Sequence, residues 1–151
     1  MPLLSRSDIL AAADLKFEDV DVPEWGGTVR IRELTGTQRD QIEAAMVTVK
    51  MEPDDKGKSK PTPEFDKSAM ETFRARIASY SIVDEENKRV FTDADIFALG
   101  EKGSAALQRV YDVALRISGF SESDVEELVG NSDAAQSGSS TSDSPLPSAA
   151  Q

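Results

Sequence analysis

The chain contains no histidine and no cysteine, and these two absences exclude more chemistry than any motif in it supplies. No Ser-His-Asp triad, thiol nucleophile, dithiol redox pair, or imidazole or thiolate metal site can be assembled. A disulfide framework is equally closed to it, so stability must come from an ordinary apolar core. Basic residues are in the minority: 17 Lys and Arg stand against 28 Asp and Glu, a net charge of −11 over 151 residues. That balance argues against a nucleic-acid partner, because phosphate binding needs a dense basic patch that releases counterions. Long apolar runs are also missing, so no membrane span is expected. Residues 1–12 carry one basic residue and no extended apolar stretch, which does not read as a secretory signal. These features point to a soluble intracellular protein, and the length to one domain.

Composition changes abruptly after Gly130. Residues 131–151 hold seven Ser, two Pro and a single Leu, with no aromatic residue. Such a segment cannot bury enough apolar area to offset the entropy of ordering, so the expectation is a folded domain over 1–130 and a disordered Ser-rich tail over 131–151. Residues 52–63 (EPDDKGKSKPTP) mix three acids, three lysines, three prolines and a glycine, a composition that suits a flexible, solvated loop.

The remaining stretches carry readable periodicity. Ser7 can cap a short helix over residues 8–13. Leu15 and Phe17, then Val20 and Val22, form two alternating pairs with one residue out of step, which predicts an extended segment with a bulge near Glu18 and Asp19. After the turn residues Pro23-Glu24-Trp25-Gly26-Gly27, Val29 and Ile31 alternate with Thr28, Arg30 and Arg32, completing an antiparallel hairpin. Thr35 with Gln38 makes a capping box, and Ile42, Ala45, Met46 and Val49 continue at helical spacing to about residue 51. Phe65, Ala69, Phe73, Ile77 and Tyr80 mark one face of a second long helix. Residues 84–88 (DEENK) form a polar turn, with Val90 and Phe91 extended opposite Ile82. Thr92 with Asp95 caps a short helix ending at Gly100. Ser104 opens another, striped by Leu107, Val110, Tyr111, Ala114 and Ile117 and closed by Gly119. Ser121 and Asp124 start a last short helix to Gly130. The class expected is mainly α within α+β: a helical domain with a small N-terminal antiparallel β-hairpin.

Carboxylates are the remaining candidates for chemistry. Asp93-Ala94-Asp95-Ile96-Phe97 fails the calcium-loop pattern at its third ligand, and acids in a first helical turn are favoured by the helix dipole without any metal. Gly100-Glu101-Lys102-Gly103-Ser104 lacks the spacing of a phosphate loop. No catalytic, cofactor-binding or metal-binding residue is therefore assigned, and no cofactor is expected. Trp25, the only tryptophan, reads either as a lid packed over the hairpin or as an anchor in a protein interface.

The order of the short motifs carries more than any one of them. Val22-Pro23-Glu24-Trp25-Gly26-Gly27 is followed by Val29-Arg30-Ile31-Arg32-Glu33-Leu34-Thr35-Gly36 and Arg39-Asp40. Further on come Val83-Asp84-Glu85, then Lys88-Arg89-Val90-Phe91-Thr92-Asp93-Ala94-Asp95, then Ala98-Leu99-Gly100, Gly119-Phe120-Ser121 and Asn131. In this order, over about residues 15–131, the chain resembles the tail assembly chaperones of long-tailed, siphovirus-like bacteriophages. It departs from them at the acidic turn, where Val83 and Asn87 stand in place of a frequent Cys or Gly; Asn tolerates the left-handed conformation such a turn needs.

The resemblance implies a non-enzymatic role in the host cell cytoplasm. The chain would bind the long tape measure protein, keep it soluble, help recruit tail tube protein subunits and be absent from the mature virion. It also implies a longer form made by ribosomal frameshifting in some phages. A structural virion or head-tail connector subunit is the alternative, and self-association is left open. Helix faces or the hairpin edge would meet amphipathic partner segments, and the acidic surface would keep the complex in solution. Phe17, Trp25, Val29 and Ile31 are the candidate partner-binding residues.

Overall fold

A computed structural model describes residues 2–120 and Asp124. The tail expected over 131–151 lies outside the described residues, as does the short helix expected over 121–130 apart from Asp124.

The first strand pair forms where the alternating valines place it. β1 (Phe17–Val22) and β2 (Gly27–Arg32) run antiparallel in unbroken register from Phe17 opposite Arg32 to Val22 opposite Gly27. The expected bulge is absent. The out-of-step residue is accommodated by turning Phe17 to the outer face, while Val20 and Val22 point inward and are buried. Pro23–Trp25 makes one turn of 3-10 helix, and Gly26 closes it at φ 75°, a left-handed conformation costly for any residue with a Cβ. β5 (Ile82–Val83) adds to the other side of β2, giving the order β1-β2-β5.

Thr35 caps α2 (Gly36–Ala45) through both bonds of a capping box: Gln38 N donates to Thr35 Oγ1 at 3.1 Å, and Thr35 N to Gln38 Oε1 at 3.0 Å. The helix does not continue to residue 51. From Val47 the β-branched run Val-Thr-Val disfavours helix, and β3 (Val47–Pro53) instead pairs antiparallel with β4 (Ser59–Phe65). The segment expected to be a solvated loop is thus most of a β-hairpin arm. Its tip is organised by Asp54, whose Oδ1 accepts from Lys56 N and Lys58 N at 2.9 and 2.8 Å, with Gly57 at φ 75°. The acidic turn is built the same way: Asp84 Oδ1 accepts from Glu86 N and Lys88 N, and Asn87 takes the left-handed position at φ 65°.

The second long helix is likewise divided. Phe65 ends β4, Asp66 caps α3 (Lys67–Glu71), and α4 spans Phe73–Ser81. At the junction the Thr72 hydroxyl donates to Ser68 O at 2.8 Å, the local bond by which Thr bends a helix. Downstream, the Thr92–Asp95 capping box is present and leads through a 3-10 turn (Asp93–Asp95) into α5 (Ile96–Gly100). In α6 (Ser104–Ile117) Gly103 occupies the cap and Ser104 is the first helical residue; Gly119, at φ 74°, ends the element. In α1 (Arg6–Ala11) the capping residue is Ser5, boxed with Asp8, two residues earlier than the expected Ser7.

The hydrophobic core joins the inner face of the three-stranded sheet to α4 and α6, with Ile42 and Met46 from the α2 end and Ile96 and Leu99 from α5. Phe73 and Tyr111 meet edge to face, centroids 5.9 Å apart. The tie between α6 and the hairpin is ionic at the surface: Arg109 grips Glu24 with two bonds of 2.6 and 3.0 Å, and Arg116 reaches Glu18 at 2.6 Å. With two sheets contributing to the described residues, the fold is mixed α+β, not mainly α. Sequence periodicity overstated helix by reading the arm as helix and loop.

Candidate partner-binding surface

The carboxylates near the second 3-10 turn are engaged in local structure. Asp95 Oδ2 accepts from Thr92 N and Thr92 Oγ1, and Asp93 lies 3.2 Å from Arg89, whose guanidinium stacks 4.2 Å from the Tyr80 ring. Among the described residues no group of three or more acidic side chains is placed to hold a metal ion. Nor is any described helix long and apolar enough to cross a membrane. What the surface does offer is exposed apolar side chains, and they are grouped.

Among the described residues, ten large hydrophobic side chains are exposed, and they fall in three regions, with Phe17 (43% exposed) standing apart. The first is the N-terminal segment: α1 buries no residue, and Leu3, Leu4, Ile9 and Leu10 are all in solvent. The second is the β3–β4 arm. Register places Val47, Val49 and Met51 on the same face as Phe65, Pro63 and Pro61, while Thr48, Lys50 and Glu52 share the other with Glu64, Thr62 and Lys60. One face of the ribbon is therefore apolar, yet Val49 and Met51 are 64% and 62% exposed. Contiguous exposed apolar surface of this kind marks interaction sites in soluble proteins.

The third region surrounds Trp25. Two clefts of about 460 and 450 Å³ share Trp25 and Phe91 as walls. The first is lined by Val29, Ile82 and Val90 and the second by Ala98 and Leu99. Trp25 and Phe91 pack partly into the core from above, and Val90 and Phe97 stand exposed nearby. The rim is acidic: Asp84 and Glu85 border the first cleft, Glu24 and Asp95 the second. Arg30 is neutralised by Asp19 through bonds of 2.8 and 3.1 Å, and this pairing holds the Asp19 carboxyl below its ordinary range. Glu24 is held low as well, first by its own backbone amide and then by Arg109.

Trp25 and Val29 line the cleft, and Phe17 lies exposed on the outer sheet face. Ile31 does not belong with them: it is fully buried, between Glu18 and Ile82 on the inner face of the sheet, and serves the core. The arm and the α1 segment escaped notice, although the alternation of Val47, Val49 and Met51 and the apolar pairs Leu3-Leu4 and Ile9-Leu10 were there to be read.

Comparison with known proteins places the chain in a family. Residues 6–134 match the phage tail assembly chaperone family. The chain belongs to that family. The family is one of assembly chaperones and not a known enzyme class. Among solved structures, the tail assembly chaperone of bacteriophage HK97 is similar at 17% identity, with a TM-score of 0.49, covering 74% of this chain and 94% of that one. A search of curated proteins gives no match.

Proposed function

We propose that this chain acts as a chaperone of phage tail assembly in the host cytoplasm. It binds the tape measure protein, keeps that long chain soluble, helps to recruit tail tube subunits, and leaves before the particle is complete. The observation that carries the reading is the family match over residues 6–134. The surface supports it: exposed apolar side chains on α1, the arm and the Trp25 region are suited to reversible contact with an amphipathic partner. A net charge of −11 keeps a loaded complex mutually repelling and dissolved.

Co-expression with the tape measure protein tests this directly. That protein should partition into the soluble fraction with the chain present and into inclusion bodies without it; equal solubility in both cases refutes the proposal. Mass spectrometry of purified particles tests the departure, since a chaperone should be missing and a structural subunit would be found in fixed copy number.

A further inference from the structure

The Trp25 clefts have a chemistry that selects their occupant. Their walls are apolar, formed by Trp25, Val29, Phe91 and Leu99. Their rims are acidic, and the cations on the site's own side are largely spent: Arg30 is bound to Asp19, and Arg109, from α6, is bound to Glu24. Against Asp84, Glu85 and Asp95 the rim sets only Lys102 among its described residues outside those pairs. The acids also stay where they are. Asp84 and Asp95 are anchored by backbone bonds of 2.8 to 3.0 Å, so their charge is fixed beside the apolar walls.

We infer that this double cleft is the docking site for a basic amphipathic helix of the partner protein, two bulky apolar side chains entering the clefts on either side of Trp25 and flanking Lys or Arg meeting the rim. The inference rests on the chaperone reading and specifies the chemistry of the segment recognised. A helix presents side chains at i and i+3 or i+4 on one face, which is how one segment can fill two adjoining clefts that share a wall. Apolar burial supplies affinity, while the acidic rim excludes acidic amphipathic helices and steers basic ones. Charge sign thus separates the intended cargo from the chain's own acidic surface, which the same rim repels.

Trp25 provides the readout, being the only tryptophan. The probes are three synthetic helices of roughly 18 residues, long enough to be helical when bound: one with a leucine face and lysines elsewhere, one with the same leucine face and glutamates, and one with an alanine face and lysines. Titrated into the full chain, the Leu/Lys helix should shift Trp25 emission saturably at one-to-one stoichiometry. The other two should bind at least about tenfold more weakly. Raising salt from about 0.05 to about 0.5 M should weaken the Leu/Lys complex through screening. Val90→Asp and Glu85→Lys alter exposed side chains, and each should reduce binding at least about tenfold while far-UV circular dichroism stays unchanged. Equal binding of the Leu/Glu helix, or unchanged binding by both variants, overturns the inference.

Co-expression separates this from the wider reading. If the parent chain and the Val90→Asp, Glu85→Lys double variant both keep the tape measure protein soluble, the cleft is not the docking site and the chaperone function stands. If the parent chain fails to do so, the chaperone function itself falls, and the docking with it.

Discussion

Ile31 offers a sharp test of how this surface and core are divided, because sequence and structure assign it opposite roles. It has no exposed area, and it is held from both sides, across from Glu18 on β1 and from Ile82 on β5. Ile31→Ala removes three carbon atoms, each contributing about 0.8 kcal/mol when buried. With strand backbone on both flanks the site has little room to collapse, so a cavity cost adds to the transfer cost, giving about 3 to 4 kcal/mol in total. For a folded part of this size that corresponds to a fall in melting temperature of about 10 to 15 °C. The matched control is Val49→Thr on the arm, which keeps β-branching at a position 64% exposed and should change stability by less than about 0.5 kcal/mol. Urea unfolding of the full chain, followed by Trp25 emission and far-UV circular dichroism, measures both. A cost below about 1 kcal/mol for Ile31→Ala would refute its placement in the core, and an equal cost for Val49→Thr would show that the arm is packed.

Two further expectations concern the turn and the surface charges. Asn87 holds a left-handed conformation at φ 65°, so Asn87→Ala should cost about 1 kcal/mol and Asn87→Gly should be neutral or stabilising; indistinguishable thermal melts for the two would contradict this. Asp19 and Glu24 have carboxyl pKa values below their ordinary range. A group whose folded pKa is depressed contributes stability at pH values above its unfolded pKa and loses that contribution as pH falls through the folded value. Melting temperature should therefore be insensitive to these groups near neutrality and decline on acidification below the ordinary carboxylate range. The Asp19→Asn, Glu24→Gln double variant should show a shallower decline in circular dichroism melts, and a decline as steep as the parent chain's would count against the pairing.

For the elements of the fold, what the sequence disclosed and what it hid turn on the competition between two periods over the same residues. Where local chemistry agreed with periodicity, as in the Thr35–Gln38 and Thr92–Asp95 capping boxes and the stripe of α6, the elements fell where expected. Between Ile42 and Phe65 the two disagreed. Met46 and Val49 sit at helical spacing after Ile42, yet Val47, Val49 and Met51 also alternate, and the cross-strand prolines Pro61 and Pro63 complete an apolar face that only pairing reveals. The turn between them carried a usable signal, since Asp54 and Gly57 stand in the same relation as Asp84 and Asn87. Reading both as one turn type would have predicted two hairpin closures from chemistry alone. The exposed apolar surface was harder to read, because burial is not a local property. Burial is settled by the whole fold: Val29 and Ile31, two residues apart on one face of β2, look alike in sequence, yet Ile31 is fully buried while Val29 is half-buried at a cleft wall. The exposed apolar residues on α1 and the arm, with Val90 and Phe97, are recognisable as such only once the core is seen to be complete without them.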